Sequence, residues 1–440
     1  MDFVPATNKE EKEMFTTIGI NRIDQLFAGI AKEHRLKREL NLPAGLSEIE
    51  LKREIESMAG KNRIYQTSFR GAGAYRHFIP SVVKHLVMRS EFYTAYTPYQ
   101  AERSQGMLQS IYEYQTMICR LTGMDLANAS MYDGASALAE AALMATRITE
   151  KKQVLLSSAV HPEYQATVKT YCHANDVKVV DLPFKTGTTD LKELKTLLND
   201  NVGGVIIQNP NFFGSFEEIK EIAQLVHQIG AILIINVVEP TSLALIKSPG
   251  EQGADIVVGD GQSFGLPLNF GGPYIGFMAT KTEYIRRIPG RLVGMTKDTQ
   301  GRRAFVLTLQ SREQHIRREK ATSNICTNSA LCALTVLVYL STLGPKLRKV
   351  AELSMAKTHY LAKKLAKLPG IRLINSQNFY NEFVIRVKNS QTVLKKLRNQ
   401  GIEGGVDLGN YYSQLKNHLL FCVTELNTKE EMDKIIKILN

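Results

Sequence analysis

The chain has 440 residues, 44% hydrophobic and 22% charged, values that fit a soluble globular protein of up to about three ~150-residue domains and exclude collagen-like, coiled-coil and largely disordered chains. Lys and Arg outnumber Asp and Glu by 55 to 43, a formal net charge of +12, so the molecule attracts an acidic partner, whether protein, phosphate or nucleic acid. The longest apolar run, 331–340 (LCALTVLVYL), is about half of the ~18 residues a membrane span needs, and the start MDFVPATNKEEKEM has neither a basic nor an apolar leader region, so no targeting or spanning segment is expected. Five scattered cysteines, Cys119, Cys172, Cys326, Cys332 and Cys422, form no CxxC pair. They read as buried thiols in a reducing, cytoplasmic compartment.

In chain order, residues 1–68 read as a helical arm of short helices and linkers, with Ser47 and Glu50 as a capping box before an Ile49, Leu51, Ile55, Met58 stretch. Residues 69–105 are dense in aromatics. From Met107 the spacing of Met107, Ile111, Tyr114, Ile118 and Leu121 predicts a helix that breaks at Gly123, and a second helix opens at Asp133-Gly134-Ala135-Ser136. Short apolar strands then follow at 154–157, 177–180, 204–207, 231–235, 256–258 and 274–278. The first four are separated by helices near 161–174, 191–198 and 216–229, the last with Ser215 and Glu218 as its capping box. This alternation predicts an α/β fold with a mainly parallel sheet between helices. Beyond Pro289 the pattern gives a basic helix, a buried helix over 325–340, a long helix over 345–368 and a strand-helix-strand-helix tail. The expected domains are the arm 1–68, a large domain 69–343 and a small α+β domain 344–440.

Four places carry residues suited to chemistry. Gly134-Ala135-Ser136 at a helix start offers free amides and a hydroxyl, a cup for a phosphate or a plain N-cap. His161 follows a strand at the carboxyl edge of the sheet, where an imidazole either stacks on a flat ring or closes a turn. Gly261-Gln262-Ser263-Phe264-Gly265 matches the GxSxG nucleophile elbow, but a glycine-proline loop follows instead of a helix, which argues against a serine hydrolase. The basic run Arg312, His315, Arg317, Arg318, Lys320 lacks interleaved aromatics, so nucleic-acid binding is not indicated. The nine histidines show no HxxxH or HExxH spacing, and no P-loop or GxGxxG follows a strand, so neither a metal site nor a nucleotide site is predicted.

The strings SFRGAGAYRHFIP, YTAYTPYQAERSQGMLQSIYEYQTMICRLTGMDLANAS, GADIVVGDGQSFGLPLNFGGPYIGFMA and SREQHIRREKATSNICT, spread over residues 68–327, are long and unusual. On them the chain resembles the glycine decarboxylase family, the P-proteins of the glycine cleavage system, and within it the first subunits of the two-subunit type. The resemblance implies a fold-type-I pyridoxal 5'-phosphate architecture, in which a lysine holds the cofactor and a carboxylate pairs with its ring nitrogen. By the family's spacing those positions fall on Ser263 and Asn236, neither of which can do that work. The implied arrangement is a degenerate pocket here (Gly134, Ala135, Ser136, His161) and a lysine-bearing second P-protein subunit that holds the pyridoxal phosphate. That pair would take glycine, release carbon dioxide and pass the aminomethyl group to the lipoyl arm of the acidic H-protein.

The resemblance further implies that Thr322 and Asn324, in a segment like the fold's Gly-Thr-x-Asn element, reach the partner's cofactor phosphate, unless they cap the helix expected from Ile325. Tyr96 and Tyr99, with Tyr93, resemble the family's tyrosine-rich loop and either touch the partner's substrate or pack the interface. Arg317, with Arg312, Arg318 and Lys320, is placed to steer the acidic carrier, or simply solvates a helix. Two other functions remain open at this point: a free-standing pyridoxal enzyme with a displaced lysine such as Lys281, and a non-enzymatic scaffold.

Overall fold

The computed structural model describes residues 6–325, 329–375 and 378–440, and the chain divides into two compact units, Met1–Ile64 and Tyr65–Asn440. Cys326 lies outside the described residues; Cys172, Cys332 and Cys422 are buried and Cys119 half-buried. In the first unit, Thr7 and Ser47 open helices α1 (Asn8–Ile18) and α2 (Glu48–Ala59), each with a reciprocal box in which the cap hydroxyl accepts from the N3 amide and the N3 glutamate accepts from the cap amide. The Ser47–Glu50 pair is the one expected from the sequence. No residue from 6 to 64 is buried.

The second unit opens its core with α3 (Gln105–Thr122), which buries Met107, Leu108, Ile111, Tyr114 and Ile118 on one face and stops at Gly123 in the left-handed region. Helix α4 (Gly134–Thr149) is alanine-rich and buried for most of its length; its small side chains let it lie close on the sheet, so that a Cβ at Gly204 would meet Ala145 at 3.0 Å. The chain then alternates through β1 (Gln153–Ser157), α5 (Pro162–Ala174), β2 (Lys178–Leu182), α6 (Leu191–Leu197), β3 (Val202–Gln208), α7 (Ile219–His227), β4 (Ile232–Val237), β5 (Ile256–Asp260) and β6 (Gly276–Thr280). The seven-stranded sheet runs in the order 126–127, β6, β5, β4, β3, β1, β2. Its members β2, β1, β3, β4 and β5 are parallel, β6 runs against them, and the two-residue strand runs against β6 and so in the direction of the parallel set. Strands β3, β4 and β5 are buried at every position, which is why they read as near-continuous apolar runs such as the ILII that precedes Asn236.

Three local expectations are corrected. Helix α7 begins at Ile219, and Ser215 does not cap it: its Oγ accepts from Asn375 Nδ2 at 2.9 Å while its amide donates to Asn211. A hairpin, β7 (Leu292–Lys297) against β8 (Arg303–Thr308), stands where no strands were read, and the basic segment after it is broken into short turns, Gln310–Arg312, Gln314–Arg317 and Arg318–Lys320, instead of one helix. Helix α8 spans Ala330–Leu343 and not 325–340.

With α9 (Leu347–Leu365), α8 makes a stretch apolar and long enough by composition to cross a membrane. Ala333, Val336, Leu337 and Leu340 of α8 lie in the main core with Leu233, Ile235 and Val257 of the sheet, so this is a core helix. The chain ends in β9 (Glu382–Arg386), α10 (Ser390–Asn399), β10 (His418–Cys422) and α11 (Lys429–Leu439). A four-stranded antiparallel sheet there has its own core around Phe383, Leu397, Phe421 and Ile435, and the early strand Thr67–Ser68 pairs with Ile402–Glu403 beside it.

Candidate functional site

Strands β3, β4 and β5 end together, with Gln208 opposite Asn236 and Asn236 opposite Val258. Side chains alternate along a strand, so Asn236 and Asp260 face the same side of the sheet. Asn236 is fully buried; its Nδ2 donates to Gln208 Oε1 at 3.3 Å, and its Oδ1 has no hydrogen-bond partner. The same Gln208 oxygen accepts from the His161 amide at 2.8 Å.

Ser263 lies three residues beyond β5, buried, and its Oγ donates to Glu239 Oε2 at 2.6 Å. Glu239 also accepts from the Thr241 amide and hydroxyl. His77 stands between two carboxylates, with Nε2 3.3 Å from Glu239 and Nδ1 2.7 Å from Glu425. Burial works against a charge on the His77 ring, but Glu239 and Glu425 outweigh it and lift its pKa to about 10. Segment 69–80 thereby covers the sheet edge. The Tyr75 amide and carbonyl both bond the Gln262 side chain at 2.9 Å, its hydroxyl donates to Glu382 at 2.8 Å, and the Ala72 amide donates to the same carboxyl at 2.7 Å. Burial pushes Glu382 up to about 7 in spite of those two donors.

The cup at the start of α4 is filled from within. The Gly134 amide donates to Asp260 Oδ2 at 3.1 Å, and the Ser136 amide to its own cap, Asp133, at 2.8 Å. A Cβ on Gly134 would stand 2.5 Å from the Tyr164 hydroxyl, so the space over this helix end is already taken. Burial pushes Asp260 up to about 7. His161 caps α5 through Nδ1, bonds the Ala72 carbonyl through Nε2 at 2.9 Å and packs against Phe212 and Tyr164. Gly73 lies against its ring, where a Cβ would come within 2.6 Å of Nε2. The residues that build this edge and that the sequence left unremarked are Glu239, His77, Glu382, Gln208 and Asp260; their sequence signal is limited to His77, with Tyr75, in the string SFRGAGAYRHFIP and Asp260 in the string GADIVVGDGQSFGLPLNFGGPYIGFMA.

A second group gathers around Arg291. This guanidinium is buried, with Nε 3.1 Å from Glu313, Nη2 donating to the Tyr99 hydroxyl at 2.7 Å, Nη1 3.4 Å from the Thr97 hydroxyl, and its plane over the Tyr99 ring. Tyr93, Tyr96 and Tyr99 are exposed. Arg312, expected among the steering charges, is buried and clamps the Leu309, Ile288 and Gly290 carbonyls, so it is removed from that set; Arg317, Arg318 and Lys320 are exposed. The Thr322 amide donates to the Arg312 carbonyl at 3.1 Å. Thr322 and Asn324 line a cleft with Glu140 and Arg147 of α4 and Tyr171 and Asn175 of α5. Helix α8 starts at Ala330 on Ser329, so 321–324 is not its cap. The displaced-lysine alternative meets a different correction. Lys281 follows β6, whose Thr280 pairs with Ile256, and it is ion-paired with Asp255 at the amino end of β5, on the order of 20 Å along the strand from Ser263.

The glycine cleavage system P-protein family model matches residues 1–439. The chain belongs to that family. It is 52% identical over 438 residues, 99% of the chain and 98% of the relative, to the "Probable glycine dehydrogenase (decarboxylating) subunit 1" of Moorella thermoacetica. The crystal structure of glycine decarboxylase (P-protein) of the glycine cleavage system in inhibitor-bound form superposes with a TM-score of 0.92 at 44% identity, covering 100% of this chain and 99% of that one. Glutamate decarboxylase from Lactobacillus brevis, at 12% identity and a TM-score of 0.69 over 94% of this chain and 96% of its own, shares the fold. The likeness therefore extends through the arm and the tail, beyond the 68–327 span in which the sequence strings lie. The architecture is that of fold-type-I pyridoxal-phosphate enzymes.

In this P-protein the residues at the sheet edge do not fit the cofactor. Ser263 offers no amine, Asn236 offers no negative charge to a ring nitrogen, and Asp260 holds the Gly134 amide that a phosphate would need. Two further carboxyls at the same edge are already committed, Glu239 to Ser263 and Glu382 to Tyr75.

Proposed function

We propose that this chain is the lysine-lacking subunit of a two-subunit glycine dehydrogenase (decarboxylating). A second, lysine-bearing subunit holds the pyridoxal phosphate, and the pair releases carbon dioxide from glycine and transfers the aminomethyl group to the lipoyl arm of H-protein. The observation that carries this reading is Ser263: where the family's spacing puts the lysine, the chain has a buried hydroxyl committed to Glu239, and it is half-identical from end to end to a protein named as subunit 1. In this reading the contributions of this chain are lateral. Tyr96 and Tyr99 present phenols on a loop braced by Arg291, Thr322 and Asn324 present a hydroxyl and an amide toward the partner's cofactor phosphate, and Arg317 faces the entering carrier.

The test is borohydride reduction of the purified chain in pyridoxal phosphate, followed by addition of the second subunit, glycine and H-protein. No fixed cofactor alone, and glycine-dependent carbon dioxide release after mixing, is the expected result. Cofactor fixed to any peptide of this chain, Lys281 included, overturns it.

A further inference from the structure

The chain's excess charge is concentrated at its end. Residues 344–440 hold seventeen basic and eight acidic side chains, nine of the twelve excess positive charges, while residues 65–343 supply the other three. Several acids of this small domain are turned inward: Glu382 accepts from the Tyr75 hydroxyl, Glu425 holds the His77 ring and Asp407 accepts from the Ser390 hydroxyl. The surface that remains is strongly basic and attracts an acidic partner.

Strand register gathers part of that charge on one face. The edge strand Arg372–Leu373 sets Arg372 directly opposite Arg386 of β9, and Arg386 stands directly opposite His418 of β10, so three basic side chains form one row on one side of the sheet. Lys388 and Lys416 follow at the strand ends, and both lysines and both arginines are exposed. Like charges placed directly opposite one another destabilise a sheet. One charge on an edge strand guards it against pairing with another chain, but this row continues inward onto two interior strands. Arg398 of α10 has Glu403 as its partner, whereas among the described residues no carboxylate pairs with Arg372 or Arg386.

The next row on the same face is apolar. Side chains alternate along a strand, so Val384 lies beside Arg386 and Leu420 beside His418. Ile374, Val384 and Leu415 line a cavity of about 110 Å³ with Phe184 and Phe213, room for a single apolar side chain. On the opposite face Phe383, Ile385 and Phe421 pack on Leu361 of α9, Leu397 of α10 and Ile435 of α11, so the helices leave the basic row uncovered. A basic row bordering such a cavity complements a protein surface that presents carboxylates around one apolar residue. A free phosphate or a nucleic-acid backbone leaves the cavity empty.

We propose that this face of the small domain is the docking site for an acidic carrier protein, whose carboxylates lie across Arg372 and Arg386 and whose apolar side chain enters the cavity. That the carrier is H-protein rests on the function proposed above. The test uses the assembled pair of subunits and H-protein. Three variants of this chain are compared with wild type: Arg372→Glu/Arg386→Glu; Leu415→Trp, which fills the cavity; and Lys363→Glu/Lys367→Glu, which makes the same change of charge on exposed lysines at the end of α9 and just beyond it. Dissociation constants for H-protein are read by calorimetry, together with subunit pairing, carbon dioxide release and the unfolding temperature of each chain.

The expected result is at least tenfold weaker binding of H-protein for the arginine variant, several-fold weaker binding for Leu415→Trp and near wild-type binding for the lysine variant. Subunit pairing, unfolding temperatures and carbon dioxide release at saturating H-protein are expected to stay unchanged. If Leu415→Trp lowers the unfolding temperature, the exposed arginines alone decide. Wild-type binding by the arginine variant, or an equal loss in the lysine variant, overturns the docking site and leaves the proposed function standing. Loss of subunit pairing in the arginine variant shows that the second subunit covers this face, and tight binding of an oligonucleotide that the arginine variant loses shows a nucleic-acid surface; either overturns the inference. A wild-type pair that neither binds H-protein nor releases carbon dioxide sinks both readings.

Discussion

Asp260 is the residue on which the site turns. A buried carboxyl at a helix start accepts two amides, from Gly134 and Gln262, yet burial still raises it to about 7, as it does Glu217 and Glu382. The folded chain therefore binds these protons more tightly than the unfolded chain. Their stabilisation is full below about pH 4 and is lost as pH rises toward 7. His77, raised to about 10, contributes stability that is complete below about 6.5 and fades as pH climbs through 10. Both act in the same direction, so the urea midpoint of the isolated chain is expected to fall steadily from pH 5 to pH 8, and Asp260→Asn to flatten that slope; a midpoint that rises over this range contradicts the assignment. The Arg291–Glu313 pair makes a second residue-scale prediction. Glu313→Ala leaves a buried guanidinium with a lost charge partner and should cost about 3 kcal/mol of stability, while Tyr99→Phe, which removes one hydroxyl at a half-exposed position, should cost about 1 kcal/mol or less. Thermal melts of the two variants decide whether Arg291 is the brace described.

At the scale of elements, the alternation of apolar runs and amphipathic helices was legible because each strand of a buried parallel sheet must be apolar on both faces. The β7–β8 hairpin was not, because its outer residues Lys297, Arg302 and Arg303 made the region look like a charged helix. Ser263 and Asn236, chosen by the family's spacing from Asp255, His227 and Gly230, both lie at the carboxyl end of the sheet. The acids around them were not legible, since Glu239, Glu382 and Glu425 are separated by up to about 190 residues and meet only through the fold. Arg312 shows the same limit in reverse: a run of basic residues does not disclose which one points inward to three carbonyls. The segment 321–324 precedes α8 and lines a cleft. Thr322→Ala should weaken cofactor retention in the assembled pair by about 1 kcal/mol, the worth of one hydrogen bond, with assembly unchanged. Retention measured by dialysis against buffer that equals wild type removes Thr322 from the partner's site.

At the scale of the whole molecule, the charge is unevenly divided. Residues 1–64 hold eleven basic and eleven acidic side chains and are net neutral, and residues 65–440 hold the full excess of +12, which suits them to an acidic partner. Among the exposed charges, Arg318 lines the 321–324 cleft and Arg317 precedes it in the chain, and Arg318 is held at a positive φ of 52° that fixes its backbone in an unusual conformation for a non-glycine residue. Exposed charges act at long range and are screened within ~8 Å at physiological ionic strength, so their contribution belongs in the association rate and not in the bound complex. Arg317→Glu with Arg318→Glu is therefore expected to raise the apparent KM for H-protein several-fold while leaving the KM for glycine near its starting value. Raising salt should bring the wild-type value toward that of the variant. Arg312→Ala is the contrasting case: it breaks carbonyl contacts in the interior, so it should lower the unfolding temperature and leave the salt dependence of carrier use intact. A KM for H-protein that responds to neither salt nor charge reversal assigns the surface arginines to solvation or to the second subunit instead.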